Sequence, residues 1–329
     1  MLLEDFFSPR ILVVAGKGGV GKTTVSAALA LVAARRGRKV CVAEIDRKGT
    51  LPRLFGGGSL GYQPSELSPG VWGMNIVVEE ALAEYLKVQY HLNRISRMFT
   101  SPQFVDYITT AAPGLRDILM LGKVWYLEQG RSAGGPIHDF DTIIVDAQAS
   151  GHMLTFLSAP MGLADAVQVG PLRRQSEWII DMLRDPERTR VHMVTLAEEM
   201  PVQESADAAA ELSAAGLTVG AVVINSTQPP WLSARQVTAA ARGELDADQV
   251  AAGLAAAGIG AGTGQREALV GALLREAREH ASRVALEKAG RRTLKKLARP
   301  TYELPLLPEG VDLGGLYELA GNLLGQGAA

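Results

Sequence analysis

The chain has 329 residues, room for one large α/β domain or two small ones, and its 47% hydrophobic and 21% charged residues are the balance of an ordinary soluble globular protein. Its 33 Lys and Arg against 35 Asp and Glu leave a net charge of -2, which gives no global electrostatic case for nucleic acid or an anionic membrane. No apolar run reaches the ~18 residues of a membrane span, and the opening residues carry Glu4 and Asp5 instead of a basic stretch followed by an apolar one. The expectation is a cytoplasmic protein without a transmembrane segment.

The first predicted element is the run Ile11-Leu12-Val13-Val14-Ala15. It leads into Gly16-Lys17-Gly18-Gly19-Val20-Gly21-Lys22-Thr23-Thr24 and then into the helical pattern Val25-Ser26-Ala27-Ala28-Leu29-Ala30. A strand, a glycine-rich turn and a helix are the setting in which G-x-x-x-x-G-K-[ST] means a phosphate-binding loop. Glycines let consecutive N–H groups of Gly18, Gly19, Val20 and Gly21 turn toward one centre. The helix that follows aims its unpaired N–H groups and positive dipole end at the same point, and Lys22, Thr23 and Thr24 join the nucleotide-binding set. Lys22 adds a point charge for the β- and γ-phosphates, and the Thr23 hydroxyl is a ligand for Mg²⁺.

Further along, apolar runs alternate with helical patterns, which predicts an α/β fold with a mostly parallel sheet covered on both faces. The expected strands are residues 10–15, 39–45, 74–78, 142–145, 166–169, 191–196, 218–224 and 302–304. Ligands in such sheets bind beyond the carboxyl ends of the strands. Asp46, Asp146 and Asn225 each end an apolar run, and with the loop they define one rim. The sole cysteine, Cys41, falls inside the second run and reads as a buried thiol. One thiolate per chain is too few for an iron–sulfur cluster bridged between two subunits, a three-sulfur arsenite site or a zinc clasp.

Residues 79–140 are too many for one crossover helix and read as a helical subdomain inserted in a single domain spanning 1–329. It either forms a small layer with its own core or offers an apolar groove to a partner or client. Residues 234–271 are rich in Ala and Gly and read as a flexible hinge or loop. A basic helical segment follows, from Arg275 through Arg283, Lys288 and Lys296 to Arg299, with a solvated face or an anionic partner as its two readings.

The form G-K-G-G-V-G-K-T-T resembles the deviant loop of the MinD/ParA, nitrogenase iron protein and arsenite-pump ATPases. Over nearly the whole chain, the order of motifs resembles the arsenite-pump and tail-anchored-protein-targeting ATPase family, above all its bacterial anion-transporting members. Its most specific piece is Asp146-Ala147-Gln148-Ala149-Ser150-Gly151-His152-Met153-Leu154, similar to the family's second switch. Leu304-Pro305-Leu306-Leu307-Pro308-Glu309 is a further match.

The resemblance implies a P-loop ATPase that uses ATP and Mg²⁺ and works as a homodimer or as a heterodimer with a paralogue. It implies that Lys17 reaches the partner's nucleotide and that Asp46 positions the attacking water. Asp46 and Asp146 would hold Mg²⁺ through water, beside Thr23. Gly151 would offer its N–H to the γ-phosphate, while Asn225 and Pro305 would border the adenine. Two departures stand out. The first switch reads Asp46-Arg47-Lys48-Gly49-Thr50-Leu51, with two cations the family lacks, and Ala149 replaces a proline. An active ATPase, a weakly hydrolysing regulatory subunit and a MinD/ParA-like positioning ATPase are the readings that remain open.

Overall fold

The computed structural model describes residues 6–45, 49–90, 101, 103, 114–130, 139–147, 150–260 and 263–328. Among the described residues, eight strands form one sheet: β1 (Ile11–Ala15), β2 (Val40–Ile45), β3 (Ser65–Ser68), β4 (Val71–Ile76), β5 (Thr142–Asp146), β6 (Thr189–Leu196), β7 (Val219–Thr227) and β8 (Thr301–Pro305). Their order is β3-β4-β2-β5-β1-β6-β7-β8. All neighbours pair in parallel except β3, which runs antiparallel to β4 at the edge.

Around the sheet lie α1 (Lys22–Arg35), α2 (Leu51–Leu54), α3 (Val78–Tyr90), α4 (Leu115–Glu128), α5 (Ser150–Ala166), α6 (Pro171–Arg184), α7 (Glu199–Ala214), α8 (Ala234–Arg242), α9 (Ala247–Ala256), α10 (Thr263–Lys295) and α11 (Leu313–Gly325). The strands sort their side chains by parity. Ile11, Val13 and Ala15 join Cys41, Ala43, Ile143 and Val145 in one core with α3 to α7. Leu12 and Val14 join Val40, Val42 and Ile144 in a second core with α1 and α11. All five residues of β1 are buried, because a central parallel strand is covered on both faces; this is why it reads as an unbroken apolar run.

The structure corrects several expectations. Residues 166–169 are not a strand: Ala166 closes α5, and Val169 stands 82% exposed in the following turn. The third expected strand sits earlier, at β4, and Val78 begins α3. Residues 234–271 carry helices where a loop was expected. Ala is the best helix former, and both helices have caps: Ser233 and Gln236 form a capping box for α8, and Asp246 accepts N–H bonds from Asp248 and Gln249 at the start of α9. Gly243 and Gly258 mark helix C-termini, at φ 70 each.

Of the 79–140 segment, most of 91–113 and all of 131–138 lie outside the described residues. The helix α4 in its second half does not build a separate core: Ile118, Met120 and Val124 pack into the core beneath the sheet. It is tied to α3 by a buried ion pair, Lys123 Nζ to Glu84 at 2.9 Å, with the Lys123 ammonium 4.5 Å from the centre of the Tyr62 ring. No helix among the described residues is long and apolar enough to cross a membrane.

Candidate functional site

The site grows from the turn after β1. Gly16 leaves the strand at φ +153 so close to β6 that a Cβ would stand 2.1 Å from the Val194 carbonyl oxygen. Gly19 and Gly21 follow with φ near +90, the left-handed region where a side chain is strained. Helix α1 then begins with Gly21 as its N-cap. No side chain caps it, and no acidic residue stands in its first turn. The first N–H groups of a 14-residue helix that carries no acidic residue of its own in the first turn are a ready anion site.

Three side chains complete this cradle. Lys22 is buried and its ammonium folds over the loop, donating to the Lys17 carbonyl oxygen at 2.9 Å. The Thr23 hydroxyl donates to Asp146 Oδ2 at 2.7 Å. Asn225 donates from Nδ2 to the Val20 carbonyl oxygen at 2.9 Å, bracing the loop from β7. The strand order accounts for this convergence: β5 and β6 flank β1, and β7 stands next to β6, so their carboxyl ends share one edge. Asp146 is the last residue of β5, whereas Asn225 lies inside β7, which continues to Thr227.

The family model described as anion-transporting ATPase matches residues 9–175 and 168–237. The chain belongs to that family. It is 37% identical to a Mycobacterium tuberculosis protein named ATPase BagA over 323 residues, covering 97% of this chain and 93% of the relative. A Mycobacterium bovis protein named putative ATPase matches to the same extent, 37% over 323 residues. An Escherichia coli protein named arsenical pump-driving ATPase is 26% identical over 270 residues, which are 74% of this chain but 44% of that relative. Membership in an ATPase family implies nucleotide and Mg²⁺ at the loop. The donor set fits both: N–H groups and an ammonium for phosphate, and adjacent hydroxyl and carboxylate oxygens for a hard cation.

The structure brings together Gly18, Gly19, Val20, Gly21, Lys22, Thr23, Thr24, Asp146 and Asn225. Pro305 ends β8 on the same rim, and Gly151 stands in the first turn of α5. Asp46 lies outside the described residues. Lys17 turns back into its own chain, its ammonium 2.6 Å from Glu204 Oε1 on α7.

Sequence reasoning missed Glu204, and no local pattern flags it, since the pairing spans 187 positions. Glu44 was missed as well. Fully buried in β2, it registers beside Asp146 and accepts the N–H groups of Thr50 and Leu51 at 3.1 and 2.9 Å. A lone charge inside an apolar strand was its available signal. Cys41 is buried, and burial pushes its thiol up to about 12, with the nearby Lys123 charge working against that rise; at neutral pH it is a small apolar side chain.

Proposed function

We propose that this family member is a Mg²⁺-dependent ATPase that transfers the γ-phosphoryl group of ATP to water. The observation that carries the reading is the Thr23–Asp146 hydrogen bond at the uncapped start of α1, beside the Lys22 ammonium. Loop N–H groups from Gly18 to Thr24 hold the β- and γ-phosphates, and Lys22 neutralises charge that builds on them. Thr23 would hold Mg²⁺ directly and Asp146 and Asp46 would hold it through water, and the ion would supply charge screening at the phosphate oxygens. Asp46 orients the attacking water, and the Gly151 N–H meets the γ-phosphate. Asn225 and Pro305 border the base. Loop catalysis of this kind needs positioning and charge neutralisation more than covalent chemistry.

In a dimer, homomeric or with a paralogue, Lys17 completes the partner's site, and nucleotide state is relayed to the segment 79–140, where a client or partner binds. A second reading has an observation of its own. Lys17 is engaged by Glu204 in the same chain, as fits a regulatory subunit that binds nucleotide and turns it over slowly.

Phosphate release measured against protein concentration decides between them. Turnover by this chain alone supports the first reading, with Lys22→Ala and Asp46→Asn each lowering it about a hundredfold or more. Turnover near zero that rises only on mixing with a paralogue supports the second. Unchanged turnover in Asp46→Asn removes that residue from its role.

A further inference from the structure

The basic run of α10 has two halves with different surroundings. In the first, Arg283 pairs with Glu276 at 3.2 Å, and the Arg278 guanidinium closes over Gly243 at the end of α8. The second half differs. Between Glu287 and Glu303 the chain has six cations and no carboxylate. Of these, Arg291 turns inward, to Glu287 at 3.0 Å and to Glu303 through bonds of 2.7 and 2.8 Å. Lys288, Arg292, Lys295, Lys296 and Arg299 are exposed, and among the described residues none of these five has an ion-pair partner. We propose that this stripe is a docking surface for the phosphate backbone of a double-stranded nucleic acid, gripped without regard to sequence. The inference is independent of the ATPase reading.

Packing fixes the stripe in place. Leu294 is buried and Leu297 packs against the same core, while a Cβ at Gly290 would meet Val202 of α7 at 3.1 Å and the Ala197 carbonyl oxygen at 3.3 Å. These residues and Arg291 hold one side of the helix against α7 and β8. Lys288, Arg292 and Lys295, at spacings of four and three, therefore face outward together. Lys296 and Arg299 follow in the turn that leads to β8. One or two cations in the last turn would complement the helix dipole. Five gathered without a counter-charge repel one another, a cost that an anionic partner removes.

The surroundings choose among anionic partners. The whole chain has a net charge of -2, and the neighbouring α7 exposes Asp207 and Glu211. A flat anionic bilayer would meet those carboxylates along with the stripe, whereas a rod-like polyanion can follow the cations alone. Leu294 and Leu297 are turned inward, so the stripe has no large apolar side chain to place in a lipid phase. The one aromatic residue between Glu287 and Glu303 is Tyr302, and it is buried. Unpaired bases would find nothing to stack on here, and a duplex held by its phosphates is the partner that fits.

Fluorescence anisotropy of a labelled DNA duplex of about 20 base pairs, titrated with the full chain at about 50–200 mM salt, tests the proposal. The expected result is equal affinity for unrelated sequences and a slope of log K against log salt of about -4 to -5, as five phosphate contacts give. The double variant Lys295→Ala, Lys296→Ala should bind about tenfold more weakly or worse, with a slope shallower by about 2. The double variant Arg235→Ala, Arg242→Ala removes the same charge from exposed positions of α8 and should change neither quantity. All four residues are exposed, and Ala favours helix, so folding is retained. Three results would overturn the proposal: no duplex binding by the unaltered chain, equal weakening in both double variants, or binding to vesicles with about a third phosphatidylglycerol in place of the duplex. None of them touches the ATPase reading.

Discussion

Gly19 and Gly21 offer a paired test of how the loop is built. They have almost the same backbone angle, φ +87 and φ +90, yet different surroundings. A Cβ at Gly19 meets nothing within 4 Å, whereas one at Gly21 would stand 2.2 Å from Asn225 Nδ2. Gly19→Ala therefore costs only the left-handed strain, about 1–2 kcal/mol. Gly21→Ala costs the same strain, and it also pushes the Asn225 amide off the Val20 carbonyl oxygen, a buried bond whose loss adds about 1–3 kcal/mol. Urea unfolding should show Gly21→Ala the weaker of the two by at least about 1 kcal/mol. In an Asn225→Ala background the gap should close, because the group that the methyl displaces is gone. Equal losses in the two single variants, or a gap that survives Asn225→Ala, would refute the reasoning.

The Lys17–Glu204 pair is partly exposed, so Glu204→Gln should change stability by less than ~1 kcal/mol. It should instead free Lys17 and raise turnover about two- to threefold at limiting protein concentration, with no gain in a Lys17→Ala background; a fall in turnover would show that Glu204 positions the lysine for catalysis. His192 gives a pH test. It is fully buried, stacked 4.2 Å from Phe6, and accepts the Ala221 N–H at Nδ1. Burial, aided by the Arg190 charge, lowers its pKa from 6.5 to about 3. The unfolded chain takes up a proton below pH ~6.5 and the folded chain does not until about pH 3, so stability is complete above that window and drains as pH falls through it. Between pH 7 and 5 the loss is about 2 kcal/mol, and His192→Gln should lack it. Parallel pH profiles for the two proteins would contradict this.

How far the sequence carried depends on whether a signal was local. Strand β1, the loop and α1 form one contiguous stretch whose residue types dictate the conformation: the expected strand 10–15 stands at Ile11–Ala15, and the helix read from Val25 begins at Lys22. Strand β3 was illegible because Ser-Glu-Leu-Ser has no apolar alternation; it exists by pairing with β4 at the sheet's edge. The expected strand at 166–169 failed because α5 runs on past Pro160 as far as Ala166. Helices α8 and α9 were hidden by reading glycine content instead of glycine position, although Ser233 and Asp246 announced both starts. At the site, Lys22 and Thr23 could be read from motif spacing, and Asp146 from its place at the end of an apolar run. Glu204 could not, since its pairing depends on how distant elements dock, whereas Glu44 left a signal as a lone charge inside an apolar strand.

The most direct test of the account is whether the loop holds a nucleotide. Calorimetry with ATP or ADP and Mg²⁺ should give saturable binding with one nucleotide per chain, lost in Lys22→Ala while that variant remains folded. Should the unaltered chain evolve no binding heat at millimolar nucleotide, or should Lys22→Ala bind as well as the unaltered chain, the phosphate-loop reading would be contradicted.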